Sequence, residues 1–207
     1  VRALKSHGGV DKIDLNKENV DAVQKGFSNL QRLIENIKSY GLQPIVAVNS
    51  FTLDTEAEGN VIKEGCDKLG IKSVLCSHWA NGSNGTKKLA EEVVSIAENS
   101  DTSEFSYCYE DNITLEEKIR AVAQKIYRAD DISIDKSISD QLKGFEDSGY
   151  GNLPVCIAKT QYSFSTNPSL RGAPTGFQVP IREVRLSAGA GFIVVVTGAI
   201  MTMPGLP

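Results

Sequence analysis

The chain has 207 residues, 22 Lys plus Arg against 26 Asp plus Glu for a formal charge of −4, with 41% hydrophobic and 23% charged content. This balance excludes disorder, collagen and coiled coil, and it leaves no surplus positive field for a nucleic-acid backbone or an anionic membrane surface as partner. At roughly 100–200 residues per domain the length admits one large domain or two small ones, and no run reaches the roughly 20 apolar residues of a membrane span.

The opening residues Val1 to Leu4 read as strand. Because the first residue is not Met and Met203 to Pro207 break off abruptly, the chain reads as a fragment. Lys5 and His7-Gly8-Gly9 would then stand at a strand's carboxyl end, where glycines let backbone approach a ligand and Lys5 and His7 supply charge or proton transfer. The plainer alternative for His7 is a hydrogen-bonded structural residue. From Asn19 to Tyr40, Val20, Val23, Phe27, Leu30, Leu33, Ile34 and Ile37 recur every three or four places, which predicts a helix with one buried face, ended by Gly41. Pro44 to Val48 is a short β-branched run that predicts a strand buried on both faces, closed by Asn49-Ser50. Thr55-Glu56-Ala57-Glu58 fits a capping box opening a helix to about Leu69-Gly70. A strand over Ser73 to Cys76, a Gly-rich loop over Asn81 to Gly85 and a helix over Thr86 to Glu98 follow.

Strands and helices alternating at these intervals predict βαβ units, hence an α/β fold with a doubly wound, mostly parallel sheet flanked by helices. The polar stretch Asn99 to Glu104 suggests a boundary, with domains over 1–105 and 106–207. Beyond it a second capping box, Thr114-Leu115-Glu116-Glu117, opens a helix through Tyr127, and a shorter helix covers Ser137 to Ser148. Leu153 to Ala158 predicts another buried strand, and Val179 to Ser187 pairs with Phe192 to Thr197. The intervening loop, Lys159 to Gln178, is long enough to suggest a functional role. Its start, Lys159-Thr160-Gln161-Tyr162-Ser163, is either a wall of a binding site or a solvated loop. Cys66, Cys76, Cys108 and Cys156 form no C-x-x-C pair, so neither a zinc site nor a disulfide is expected. Cys76 and Cys156 sit in apolar runs and read as small buried hydrophobes of a reducing compartment, the cytoplasm.

Ligands of an open parallel sheet bind beyond the carboxyl ends of its strands. Phe51 and Trp79 occupy that position after two successive strands, so two aromatic rings stand on one rim and can receive a flat heterocycle between them. The competing reading is that both rings cover the core. Asn81 to Gly85 offers backbone amides to an anion but has no Lys at Walker spacing, which rejects it as a P-loop. Thr202 to Pro207, with Pro204, Gly205 and Leu206, predicts a shaped turn that presents amides and carbonyls.

Seven ordered blocks carry a resemblance across nearly the whole chain. They are Val1-Arg2-Ala3-Leu4-Lys5-Ser6-His7-Gly8-Gly9; Val48-Asn49-Ser50-Phe51 with Asp54-Thr55; His78-Trp79-Ala80; Leu153 to Ser163; Gly172-Ala173-Pro174-Thr175-Gly176-Phe177; Ser187-Ala188-Gly189-Ala190-Gly191-Phe192; and Met201 to Pro207. Together they resemble the formate–tetrahydrofolate ligase family. The resemblance implies an incomplete P-loop-NTPase-like core with a smaller C-terminal α/β domain. It also implies an ATP-dependent ligase that forms 10-formyltetrahydrofolate, ADP and phosphate through formyl phosphate, with formate, tetrahydrofolate and ATP as small-molecule partners. Mg²⁺ and a monovalent cation are implied as cofactors, and homo-oligomerisation when full length. Phe51 and Trp79 would sandwich the pterin, with Leu75 and Pro204, Gly205 and Leu206 nearby, while Asn49, Asp54, Ala80, Gly82 and Gly85 would contact nucleotide. The family's Walker-type loop and the Arg that orients formyl phosphate would lie upstream of Val1, so the fragment alone would be inactive; the catalytic residues are not among those named here. The alternative is a folate- or nucleotide-binding module without ligation. Asn81 to Gly85 departs from a family loop richer in Gly, and Arg128 stands where a Gly is usual before Ala129-Asp130.

Overall fold

The structure, a computed structural model, describes residues 1–198. The chain is mixed α/β and divides into two compact units, the first spanning Val1–Ser106 and the second opening at Tyr107.

In the first unit the opening residues form helix α1, Arg2–His7, not a strand. Arg, Ala, Leu and Lys are strong helix formers, and the helical turn places Leu4 and Lys5 inward together. Helix α2, Val20–Lys38, follows with Asn19 as its N-cap, the side chain accepting from Ala22 N–H. α1 crosses α2 with almost no separation: a Cβ on Gly8 would stand 2.0 Å from the Ala22 carbonyl oxygen, and one on Gly26 1.9 Å from that of Leu4. Gly8 thus lets α2 approach closely.

Strand β1, Val46–Asn49, pairs in parallel with β2, Ser73–Cys76, in the register Val48 to Leu75 and Asn49 to Cys76. Helix α3, Glu56–Lys68, makes the crossover and begins with the expected capping box of Thr55 and Glu58. Leu4, Val23, Ile34, Val48, Ile62, Cys66 and Ile71 form the core. β1 is not buried on both faces: Val48 is buried but Ala47 and Asn49 are exposed. The described strands of this unit form a sheet of only two members, so α3 covers the Val48 side while the other side of β1 faces solvent. A four-residue helix, α4 (His78–Asn81), and a 3₁₀ turn over Gly82–Thr86 stand where a plain Gly-rich loop was expected, and α5, Lys87–Asn99, follows.

In the second unit, α6 (Leu115–Lys125) starts at its capping box of Thr114 and Glu117. β3, Asp131–Ile134, which hydrophobic patterning does not reveal because it is four residues long and begins with Asp, pairs in parallel with β5, Gln178–Ile181. α7 runs over Lys136–Phe145 and passes into a π turn over Glu146–Tyr150, where Gly149 adopts φ 90°. β4 (Val155–Ala158), β6 (Glu183–Ser187) and β7 (Phe192–Val196) form a sheet in the order β4-β7-β6, with β4 parallel and β6 antiparallel to β7. The expected single strand over 179–187 is thus two strands in different sheets. Among the described strands β4 lies at the edge of its sheet; Cys156 is exposed and the strand is only half-buried, not a buried strand. Leu115, Ile119, Ala123, Leu142, Val179, Ile193 and Val195 centre this core.

Lys118 is fully buried there with no carboxylate among the described residues in salt-bridge reach; its Nζ donates to the carbonyls of Gly151 (2.8 Å) and Leu153 (3.2 Å) and sits 5.9 Å from the Tyr109 ring centre. Burial pushes its pKa down, with Asp111 and Glu146 acting in the opposite sense.

Candidate functional site

The parallel ladder delivers both strand ends to one rim. Ser50 N–H extends it by one bond, donating to Cys76 O at 2.9 Å. Phe51 follows directly, and its ring centre lies 6.4 Å from that of Trp79, with the two planes tilted by 56°. Phe51 is 39% exposed and Trp79 68%, so neither ring is core. The separation is close to the roughly 7 Å of a slot for one flat ring, two stacking distances of about 3.5 Å, but the tilt brings edge against face and leaves no parallel slot.

Each ring is held by its local backbone. Beyond β1, Phe51 N–H donates to Asp54 Oδ2 at 3.0 Å, while Asp54 N–H donates to Phe51 O at 2.9 Å. Asp54 precedes Thr55, the N-cap of α3. Beyond β2, Trp79 lies in α4, where Ala80 and Asn81 N–H both donate to Ser77 O. Ser77 N–H in turn donates to Gly85 O at 3.1 Å, and a Cβ on Gly85 would stand 2.5 Å from the Ser77 carbonyl carbon. Gly85 is thereby required by the fold of the Trp79 loop itself. Gly82 is exposed with φ 56°.

Two cavities flank β1. One of about 390 Å³ is lined by Val48, Ser50, Asp54, Thr55, Asn60, Lys63 and Leu75 among others. The second, about 330 Å³, is lined by Arg2, Leu4, Leu33, Ala47, Asn49 and Phe51 among others. Both fall within the range of small-molecule sites. Of the residues singled out from sequence, Leu75 and Asp54 face the first, and Asn49 and Phe51 the second. Asn60 and Lys63, with Glu56 and Gly59, escaped the sequence reading. Their spacing of three and four along α3 is a helix face, and a polar helix face ordinarily meets solvent.

Lys5 belongs to a different construction. Its ammonium is fully buried, 2.8 Å from the equally buried Glu58 Oε1, and donates to Lys17 O at 3.1 Å. Glu58 also accepts from Asn19 N–H at 2.8 Å and from Thr55 N–H at 3.2 Å. Burial raises the Glu58 carboxyl, yet the hydrogen bonds from Lys5, Asn19 and Thr55 outweigh it and hold the group below the ordinary carboxylate value. Lys5, His7, Gly8 and Gly9 thus stand on or just after α1, not at a strand end.

Lys159 and Gln161 belong to the second unit. Lys159 Nζ donates to Thr160 O at 2.9 Å and to Ser163 O, and lies 5.0 Å from the Tyr127 ring centre, so its donors clasp the start of the long loop. Burial lowers its pKa. Gln161 is exposed. Ser163 and Ser165 are buried and bonded to each other at 3.0 Å, while Gln161 and Tyr162 just before them are exposed. Pro204, Gly205 and Leu206 lie outside the described residues. Among the described residues no group of three or more His, Cys, Asp or Glu could hold a metal ion, and no helix is long and apolar enough to cross a membrane.

The parallel pairing of β1 and β2 through α3, with two exposed rings beyond the strand ends, places the chain among mixed α/β proteins. The family described as formate–tetrahydrofolate ligase matches residues 1–207, and the chain belongs to that family. Its curated relatives include formate–tetrahydrofolate ligases of Pelagibacter ubique and Roseobacter denitrificans, each 58% identical over 100% of this chain and 37% of the relative. That of Sinorhizobium medicae is 58% identical over 100% of this chain and 36% of the relative. The chain therefore spans a little over a third of the length of the curated relatives it matches.

Proposed function

We propose that the polypeptide containing this chain is an ATP-dependent ligase that joins formate to tetrahydrofolate, and that this chain supplies the rim on which the folate ring is held. A formate oxygen attacks the γ-phosphorus of ATP and ADP departs, leaving formyl phosphate. N10 of tetrahydrofolate then attacks the formyl carbon, the C–O bond to phosphate breaks, and loss of the N10 proton gives 10-formyltetrahydrofolate and phosphate. This reading assigns the phosphate cradle, the Arg that orients formyl phosphate and the Mg²⁺ that accompanies ATP to the remainder of the polypeptide, of whose relatives this chain spans a little over a third.

The observation that carries the reading is the pair of exposed rings, Phe51 and Trp79, 6.4 Å apart at the carboxyl ends of adjacent parallel strands. Two aromatic faces select a flat bicyclic guest, each stacked pair adding about 0.5–1.5 kcal/mol beyond area burial. Because the planes meet at 56°, the guest must turn one ring before it can lie between both, and their exposure leaves room for that movement. Leu75, 64% exposed on β2 and four residues before Trp79, is the apolar side chain this reading assigns to the neighbourhood of the guest. We also read β1 and β2 as part of a larger doubly wound sheet of the P-loop-NTPase kind, supported by their parallel pairing and the uncovered side of β1.

The test is steady-state kinetics on the full-length polypeptide. Wild type should form 10-formyltetrahydrofolate and ADP in equal amounts, dependent on formate and ATP. Phe51→Ala should raise KM for tetrahydrofolate about tenfold and leave KM for formate and ATP unchanged. Equal KM for tetrahydrofolate in the two proteins would remove Phe51 from the folate site.

A further inference from the structure

The geometry points to Asp54 as the positioning residue of the ring pair, the group that fixes where Phe51 stands opposite Trp79. This inference rests on the folate reading above for its consequence, but its structural content is independent of any ligand.

Six residues, Ser50 to Thr55, join β1 to α3. Both ends of this connection are anchored. At one end Ser50 N–H is bonded to Cys76 O. At the other, Thr55 caps α3, and Glu58, its capping partner, is locked by Lys5 and by the N–H of Asn19. Between the anchors, Phe51, Thr52 and Leu53 are all exposed, Leu53 to 58%, so core packing does not determine where the Phe51 ring points.

What fixes it is a closed pair of hydrogen bonds. Asp54 N–H donates to Phe51 O, and Asp54 Oδ2 accepts from Phe51 N–H at 3.0 Å. With both the N–H and the C=O of Phe51 tied to one residue, its backbone orientation is set, and with it the direction of the Cα–Cβ bond that carries the ring. A carboxylate oxygen engaged on a backbone N–H is a structural group. Asp54 therefore acts on the ligand through Phe51, and what the position requires is an acceptor oxygen, not a negative charge.

The chain contains a single Trp. Its indole N–H gives one NMR resonance, and a phenyl ring centred 6.4 Å away shifts that resonance by its ring current. In the ligand-free chain, Phe51→Ala marks the position of the indole peak without the phenyl ring. Asp54→Ala and the near-isosteric Asp54→Leu, which both lack an acceptor, should move the peak toward that position while the remaining amide resonances keep their dispersion. Asp54→Asn, which keeps an acceptor oxygen and loses the charge, should leave it near wild type. In the full-length polypeptide the tetrahydrofolate Kd should rise about five- to tenfold for Asp54→Ala and stay within about twofold for Asp54→Asn.

An unmoved indole peak in Asp54→Ala and Asp54→Leu would overturn the assignment. So would an Asp54→Asn variant that loses as much as Asp54→Ala, because the charge would then be what matters. If the peak moves as expected but Phe51→Ala leaves the tetrahydrofolate Kd unchanged, positioning stands and the folate reading is what fails.

Discussion

Phe51 and Trp79 reach the same rim because a strand's carboxyl end is fixed by its ladder, and two parallel strands in register end side by side. That much follows from residue order. The 56° tilt between the rings does not, since it depends on side-chain torsions at exposed positions. Arg128 carries a conformational cost. It adopts φ 59°, in the left-handed region, where an L side chain costs about 1–2 kcal/mol. Arg128→Gly should therefore stabilise the chain by up to about 1 kcal/mol, the gain being reduced by the greater freedom of Gly in the unfolded state. A thermal melt of the two proteins reads this directly, and a lower midpoint for the glycine variant would show that the Arg side chain contributes more than its backbone costs.

Among elements, Glu58 ties three helices together: α1 through Lys5, the start of α2 through Asn19 N–H, and its own helix α3 through Thr55. Removing one partner of such a buried pair costs about 3–5 kcal/mol. Replacing both by apolar groups would not be neutral here, because the N–H groups of Asn19 and Thr55 would lose their acceptor. The folded carboxyl sits below its ordinary value of 4.5, so the unfolded chain binds the proton more readily. The resulting stability is present above pH 4.5 and is lost as pH falls from there through the lower folded value. Denaturant unfolding across that window should fall more steeply with acid for wild type than for Glu58→Gln, and parallel curves would contradict the linkage. The capping box at Thr55 was legible from residue spacing, but the burial of its Glu was not, since Lys5 reaches it from 53 positions earlier in the chain. Nor is α1 legible as a helix: six residues carry too little periodicity to choose between helix and strand, and the packing of Gly8 on α2 decides it.

For the whole molecule, most of the longer elements could be read from the chain, because α2, α3 and α6 carry a full apolar stripe or a capping box. Four-residue strands such as β3 carry neither, and the break between β5 and β6 is decided by which sheet each joins. Of the candidate site, the ring pair was legible through strand order. The Lys5–Glu58 pair and the approach of Gly8 to Ala22 are not legible because the partners are remote in sequence, and the Asn60–Lys63 face is not because a polar helix face resembles a solvated one. The account as a whole rests on the two rings receiving folate, and the most direct measurement is the tetrahydrofolate Kd of full-length Trp79→Ala against wild type. A loss of about 1–3 kcal/mol, roughly 5- to 150-fold, with an unchanged melting temperature is the result expected. An unaltered Kd in a folded Trp79→Ala protein would contradict it.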